Sequence, residues 1–180
     1  MARNTVSRSL HDVGLAAWFG GTLANAVALN AAAAEAGSDA RTGAVANAGW
    51  DRWTPVNAAA IAAHLVGSVG QLRGNRGRVA QQEGVAGMSA LKTVLTAAAL
   101  GVTAYSRVLG QKVSQGGATP SKRGTKPSKR ARADIAAAQS QLDALQWVVP
   151  ALTGALVAVS SYAGEQQRPS EVARGIAQKS

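Results

Sequence analysis

The charged side chains of this chain are bunched, and the gaps between the bunches constrain its fold more than any other feature. No charge stands between Asp12 and Glu35, between Arg52 and Arg73, or between Asp143 and Glu165, and only Lys92 stands between Glu83 and Arg107. Each gap runs about 20 residues, which is what a helix rising about 1.5 Å per residue needs to cross a hydrocarbon core of about 30 Å. Four such gaps predict an all-α chain: a four-helix transmembrane bundle of up-down topology, forming a single membrane domain over residues 1–180. The spans are expected near 12–34, 56–72, 87–110 and 134–163. The last helix starts near residue 133, with an extramembrane N-terminal extension ahead of its span.

Composition supports that reading and sets its competitor. The chain is 47% hydrophobic but only 4% aromatic and 16% charged, so its apolar content is mostly Ala, Val and Leu. There is no Cys, which excludes disulfide scaffolds, thiolate metal sites and Cys nucleophiles. A soluble, alanine-rich helical bundle binding polyanions is the competitor, because Asn25, Asn30, Asn57, His64, Gln71 and Lys92 interrupt the spans or mark their edges. A soluble helix, however, carries a charged outer face, and none of these four does. Small residues four apart suit close helix packing in lipid; Gly20/Ala24, Ala63/Gly67 and Gly154/Ala158 have that spacing. The basic start MARNTVSRSLHD precedes an apolar stretch too long for a signal-peptide core, so the first span is expected to be retained.

The connecting segments carry most of the net charge of +10. Residues 36–55 place Trp50 and Trp53 where an interfacial aromatic belt would lie, with Pro55 in the first turn of the second helix. Residues 73–84 read as a short basic turn, and the tail after residue 165 as a frayed end. Residues 111–132 are poor in hydrophobics and broken by Pro120 and Pro127, and are expected to be a flexible basic loop. Lys122, Arg123, Lys126, Lys129, Arg130 and Arg132 are the candidates for lipid or anion contact there. Anionic lipid is favoured over nucleic acid, because no aromatics are interleaved with the cations. The basic segments fall on both sides of the bundle, so orientation stays open.

The polar residues inside the spans are periodic. His11, Trp18 and Asn25 lie seven apart; Asn57, Ile61, His64, Ser68 and Gln71 follow a helical stripe, as do Lys92, Thr96, Thr103 and Arg107, and Gln146, Thr153 and Ser160. Lipid cannot satisfy such groups, so the stripes are expected to face one another. Hydrogen bonding for packing accounts for the Ser, Thr, Asn and Gln residues. Ionisable residues within spans, here His64 and Lys92, point by default to function.

LHDVGLAAWFGG and SALKTVLTAAALG together resemble the four-helix membrane domain shared by CopD-type copper-resistance proteins and HemJ-type protoporphyrinogen oxidases. The residues that carry the resemblance are His11, Trp18, Gly20, Gly21 and Lys92. It implies haem, porphyrin or copper binding, with haem as the candidate cofactor and His11, Trp18 and Lys92 at the ligand site; the inward stripe adds His64, so His11 and His64 are the candidate metal ligands. Up-down topology puts the starts of the first and third helices on one membrane side, so His11 and Lys92 are expected at similar depth, with His64 farther along the second helix. A dedicated copper site is poorly supplied, with two His and no Cys.

No P-loop, GxSxG, HExxH or GxGxxG motif is present, so catalysis is not expected. The expected function is a small, multi-pass integral membrane protein, placed in the plasma membrane of a bacterium, that binds haem or another small ligand in a polar bundle interior. The alternative is a non-catalytic accessory or scaffold protein, homo-oligomeric or part of a larger membrane complex, that contacts anionic lipid.

Overall fold

The structure, a computed structural model, describes residues 4–116 and 120–179. Those residues are all-α apart from one small hairpin, with about 85% of the chain in six helices. Helix α1 is Thr5–Ala36, α2 Asp39–Gly74, α3 Arg76–Gln81, α4 Val85–Gln115, α5 Ala133–Glu165 and α6 Pro169–Ala177. Strands β1, Ser121–Arg123, and β2, Lys126–Pro127, pair antiparallel between α4 and α5.

Three helices, α1, α4 and α5, are long and apolar enough to cross a membrane. The fourth expected span lies on α2, which is not among them. That helix carries Asp39, Arg41, Asp51 and Arg52 ahead of the stripe of Asn57, His64 and Gln71, which lowers its apolarity. It also begins far earlier than the expected start near residue 56. Gly37 turns the chain at φ +81, and Ser38 accepts a hydrogen bond from the Arg41 N–H at 3.4 Å, capping a helix that opens on Asp39. The alanine-rich stretch after it is a good helix former. Trp50, Trp53 and Pro55 therefore lie inside the helix rather than in a connecting segment. Pro55 has no N–H for the Asp51 carbonyl, which leaves that turn one hydrogen bond short.

The four long helices meet in a core of Trp18, Ala60, Ala99 and Val149, one residue from each. Helices α1 and α2 run antiparallel at very close range. A Cβ on Gly14 would lie 2.5 Å from the Ala60 carbonyl oxygen and from the His64 nitrogen, and one on Gly67 2.5 Å from the Ser7 carbonyl oxygen. Gly21 seats the Trp53 ring in the same way. Gly20, expected as half of a packing pair with Ala24, has nothing within 4 Å and points outward. Helices α4 and α5 join through Leu109, Val113, Ile135 and Ala138. A π-helical turn over Asn25–Leu29 interrupts α1. Spacings of four drift by about 120° over the 12 residues from Trp18 to Asn30 in a regular helix; the wider turn counters that drift and keeps Trp18, Thr22, Ala26 and Asn30 buried on one side.

The polarity of the molecule is inverted relative to a water-soluble bundle. His11, Thr22, Asn30, His64, Gln139 and Thr153 are buried, whereas Val13, Val66, Val94, Val108 and Val157 are exposed. The most apolar windows of α1, α4 and α5 are only 28%, 11% and 22% buried, so most of their hydrophobic surface faces outward.

Residues 111–132, expected as a flexible loop, are built differently wherever the structure describes them; 117–119 lie outside the described residues. Helix α4 continues to Gln115, and the hairpin that follows turns its small polar side chains inward. Ser121 is fully buried and donates to the Gly124 and Lys126 carbonyls at 2.5 and 2.8 Å. Thr125 donates to Asp143 Oδ1 at 2.8 Å, and Ser128 donates to Asp39 Oδ2. Hydrogen bonding and not hydrophobic burial anchors the segment, so hydropathy alone passes over it. At the opposite end, residues after 165, expected to fray, form α6, where Gly175 packs on Gln82. Arg78 of α3 donates to the Gln166 carbonyl at 2.8 Å and to Gln82 Oε1 at 2.9 Å. Burial there pulls its guanidinium below the ordinary arginine range.

Candidate functional site

The stripes read from the sequence face inward, and they separate into two places. The first is a histidine pair at the α1–α2 crossing. His11 and His64 are both fully buried, with ring centroids 4.6 Å apart and the planes tilted by 45°. His11 lies more than a turn inside α1, because that helix starts at Thr5. His64 is therefore level with His11 and not deeper along the second helix. His11 Nδ1 bonds Asp12 Oδ1 at 2.7 Å, and its Nε2 is buried without a partner. His64 Nδ1 lies 3.4 Å from the His11 carbonyl oxygen, and its Nε2 lies 3.4 Å from Thr96 Oγ1 of α4. The Trp18 ring sits 6.1 Å from that of His64. Lys92, half-buried on α4, lies four residues before Thr96 and so shares the helix face that meets His64. His11, Trp18 and His64 are thus brought to one neighbourhood.

That neighbourhood does not fit haem. The imidazoles already touch each other, and the Gly14 and Gly67 contacts bring the two helices backbone to backbone beside them. No slot for a planar macrocycle remains. Among the described residues no group of three or more His, Cys, Asp or Glu is placed to hold a metal ion. Chemically, the pair can exchange hydrogen bonds and tie α1, α2 and α4 together.

The second place was not anticipated. A cavity of about 320 Å³ opens between α2, α4 and α5, on the hairpin side of the Trp18 core. Ile61, Leu100, Leu142, Leu145 and Val149 form its apolar wall, and Gly124 and Thr125 of the hairpin close one end. Five of its lining residues carry a buried polar atom without a hydrogen-bond partner: Trp53 Nε1, Asn57 Oδ1, Thr103 Oγ1, Ser106 Oγ and Gln139 Oε1. Unmet buried polar groups are rare and costly, at about 1–3 kcal/mol each. Among the described residues no His, Lys, Met or Cys lines the cavity, so these offer no customary axial ligand to haem iron. Asn57 and Thr103 were legible as inward-facing stripe residues. Gln139 and the cavity itself depend on how far apart the helices stand.

A polar chain braces the hairpin end of this cavity. Trp50 Nε1–H donates to Asn30 Oδ1 at 3.1 Å, and Asn30 Nδ2 donates to Gln146 Oε1 at 2.6 Å. Gln146 in turn donates to the Asp143 carboxylate at 3.0 Å, and Thr125 reaches the same carboxylate. Gly124, at φ +54, rests directly on Asn30, where a side chain would collide. Across the cavity mouth, Arg107 of α4 donates to Asp51 of α2 at 2.8 Å.

The six expected anion-contact residues, Lys122, Arg123, Lys126, Lys129, Arg130 and Arg132, are all exposed. Ser-Lys-Arg occurs twice, at 121–123 and 128–130. Each time the serine turns inward and the two cations turn outward. Repetition of the triplet is the signal that could have revealed an ordered element here.

Comparison with family models, curated proteins and solved structures finds no match to this chain.

Proposed function

We propose that this chain is a multi-pass integral membrane protein whose four long helices form an up-down transmembrane bundle, and that the bundle binds a small ligand in the cavity between α2, α4 and α5. The observation that carries the ligand reading is the cavity itself, about 320 Å³ between α2, α4 and α5 with an apolar wall of Ile61, Leu100, Leu142, Leu145 and Val149. The inverted distribution of valines and buried polar side chains supports a lipid surround. The resemblance to CopD/HemJ-like domains supports the bundle architecture, while the packing around His11 and His64 gives no support to haem. The role proposed is binding, with no reaction assigned.

Native mass spectrometry of detergent-purified protein tests this, together with solvent extraction of whatever copurifies. A stoichiometric small molecule, lost in a Ser106→Leu variant that fills the cavity, is the expected result. Wild-type protein that carries nothing and takes up nothing from a lipid extract would defeat it.

The second reading, an accessory membrane protein contacting anionic lipid, is favoured by a separate observation. Six exposed cations lie on, and just after, a hairpin whose inner face is hydrogen-bonded to the bundle. Attraction to an anionic surface is worth about 1 kcal/mol per Lys or Arg close to it. Carbonate washing of membranes separates both readings from a soluble polyanion-binding bundle, which alone would be released.

A further inference from the structure

Resting on the membrane-bundle reading above, we propose that the chain inserts in both orientations, so that one membrane presents the basic hairpin on both of its faces.

Contacts across the bundle define its two ends. At the first, Asn30 of α1 donates to Gln146 of α5 at 2.6 Å, Arg107 of α4 to Asp51 of α2 at 2.8 Å, and Thr125 of the hairpin to Asp143 at 2.8 Å. At the second, Gly74 and Gly70 of α2 pack on Asn4 and Ser7, Gly164 of α5 packs on Arg8, and Gln82 donates to the Gln166 carbonyl at 3.0 Å. A helical membrane protein is held in one orientation by an excess of Lys and Arg on its cytoplasmic side, counted over short loops and within about 15–20 residues of the spans.

Here the two ends carry nearly equal numbers. Ten of the 19 Lys and Arg belong to the first end: Arg41, Arg52, Arg107, Lys112 and the six cations of the hairpin segment. Eight belong to the second: Arg8, Lys92, three at 73–78 and three at 168–179. The remaining one, Arg3, lies outside the described residues and precedes α1 in sequence. Acidic residues weigh little in this balance, and the nine are split five to four.

The balance is local as well as global. The first span most often decides orientation, and its own flanks are matched. Arg3 and Arg8 stand before its uncharged stretch, Arg41 and Arg52 after it. The longest segment between helices runs only over 116–132, so no part is long enough to translocate regardless of its charge. Insertion either way round therefore leaves about the same number of cations on the cytoplasmic side.

The lack of cysteine makes the test direct. Ala133→Cys places one thiol at the hairpin end and Ala80→Cys one at the other. Both alanines are exposed and uncharged, so neither change alters the count. Spheroplasts of a bacterial host expressing each variant are treated with a membrane-impermeant maleimide before and after permeabilisation. Each site is expected to react from outside in about half of the molecules, and in the rest only after permeabilisation. Replacing the six hairpin-segment cations by Gln should bring the thiol of the Ala133→Cys variant outside in nearly all molecules and shield that of Ala80→Cys. Replacing Arg73, Arg76, Arg174 and Lys179 by Gln should do the reverse. One site fully labelled and the other fully shielded without any Gln replacement would overturn the proposal and leave the membrane bundle in place. Half-labelling that ignores both Gln sets would do the same. Two sites that are both fully labelled or both fully shielded, or release of the chain by carbonate, would overturn the bundle reading and the proposal with it.

Discussion

Gly67→Ala should destabilise this protein far more than Gly20→Ala, although both add one methyl group to a helix. At Gly67 the new Cβ would lie 2.5 Å from the Ser7 carbonyl oxygen and 2.7 Å from His11 Cα. Both are main-chain atoms of α1 and cannot rotate away. Ordinary contact starts at 3.4 Å and the His11 nitrogen lies closer still, so α1 and α2 must separate by about 1 Å. A radial gap of that size forfeits about a quarter to a half of each van der Waals well along the crossing. His11, His64 and Trp18, all fully buried there, would lose packing together. Overpacking of this kind costs about 1–3 kcal/mol, and about 2 kcal/mol is expected here, less the small gain from replacing a helical glycine. At Gly20 nothing lies within 4 Å, so only that gain of about 0.5–1 kcal/mol remains. Reversible unfolding by sodium dodecyl sulfate in mixed micelles, followed by far-ultraviolet circular dichroism, measures both variants against wild type. Equal stability of the two variants, or greater damage at Gly20, would refute the close crossing.

His64→Gln should cost on the order of 1 kcal/mol, because its two ring contacts are long at 3.4 Å. Copurification of a ligand should be unchanged, since His64 is not among the described residues that line the cavity; loss of that ligand would return the site to the histidine pair. Asn30→Ala leaves the Trp50 N–H and the Gln146 oxygen without this partner, so a loss of about 2–3 kcal/mol is expected by the same unfolding assay. Gly124→Ala should loosen the hairpin against Asn30 and speed tryptic cleavage at Lys122 and Arg123 without lowering helix content; equally rapid cleavage of wild type would show the hairpin unanchored. Replacing all six exposed cations by Gln should erase the preference for anionic over zwitterionic lipid in nanodiscs, a preference of up to about 6 kcal/mol, with no change in cavity binding.

The sequence by itself determined which residues turn inward. A 3.6-residue period places Asn57, His64, Ser68 and Gln71 on one face of α2, and none of them is exposed. The charge gaps likewise located the long helices, because polar side chains at regular spacing must face away from an apolar surround whatever packs beside them. The tertiary structure decided how those faces meet. Gly21 and Gly67 are contact points and Gly20 is not, because only the first two lie where the partner's main chain or ring arrives. Local sequence cannot distinguish neighbouring glycines on that score. The cavity is likewise a property of spacing: it exists because glycines draw α1 onto α2 while α4 stands away from α2, and no single helix encodes that distance. The hairpin was hidden for a different reason. Its order comes from Ser121, Thr125 and Ser128 bonding backbone and carboxylate groups, including Asp143 and Asp39 far away in sequence. By composition those same residues are indistinguishable from a solvated linker, and only the fold brings the acceptors within reach.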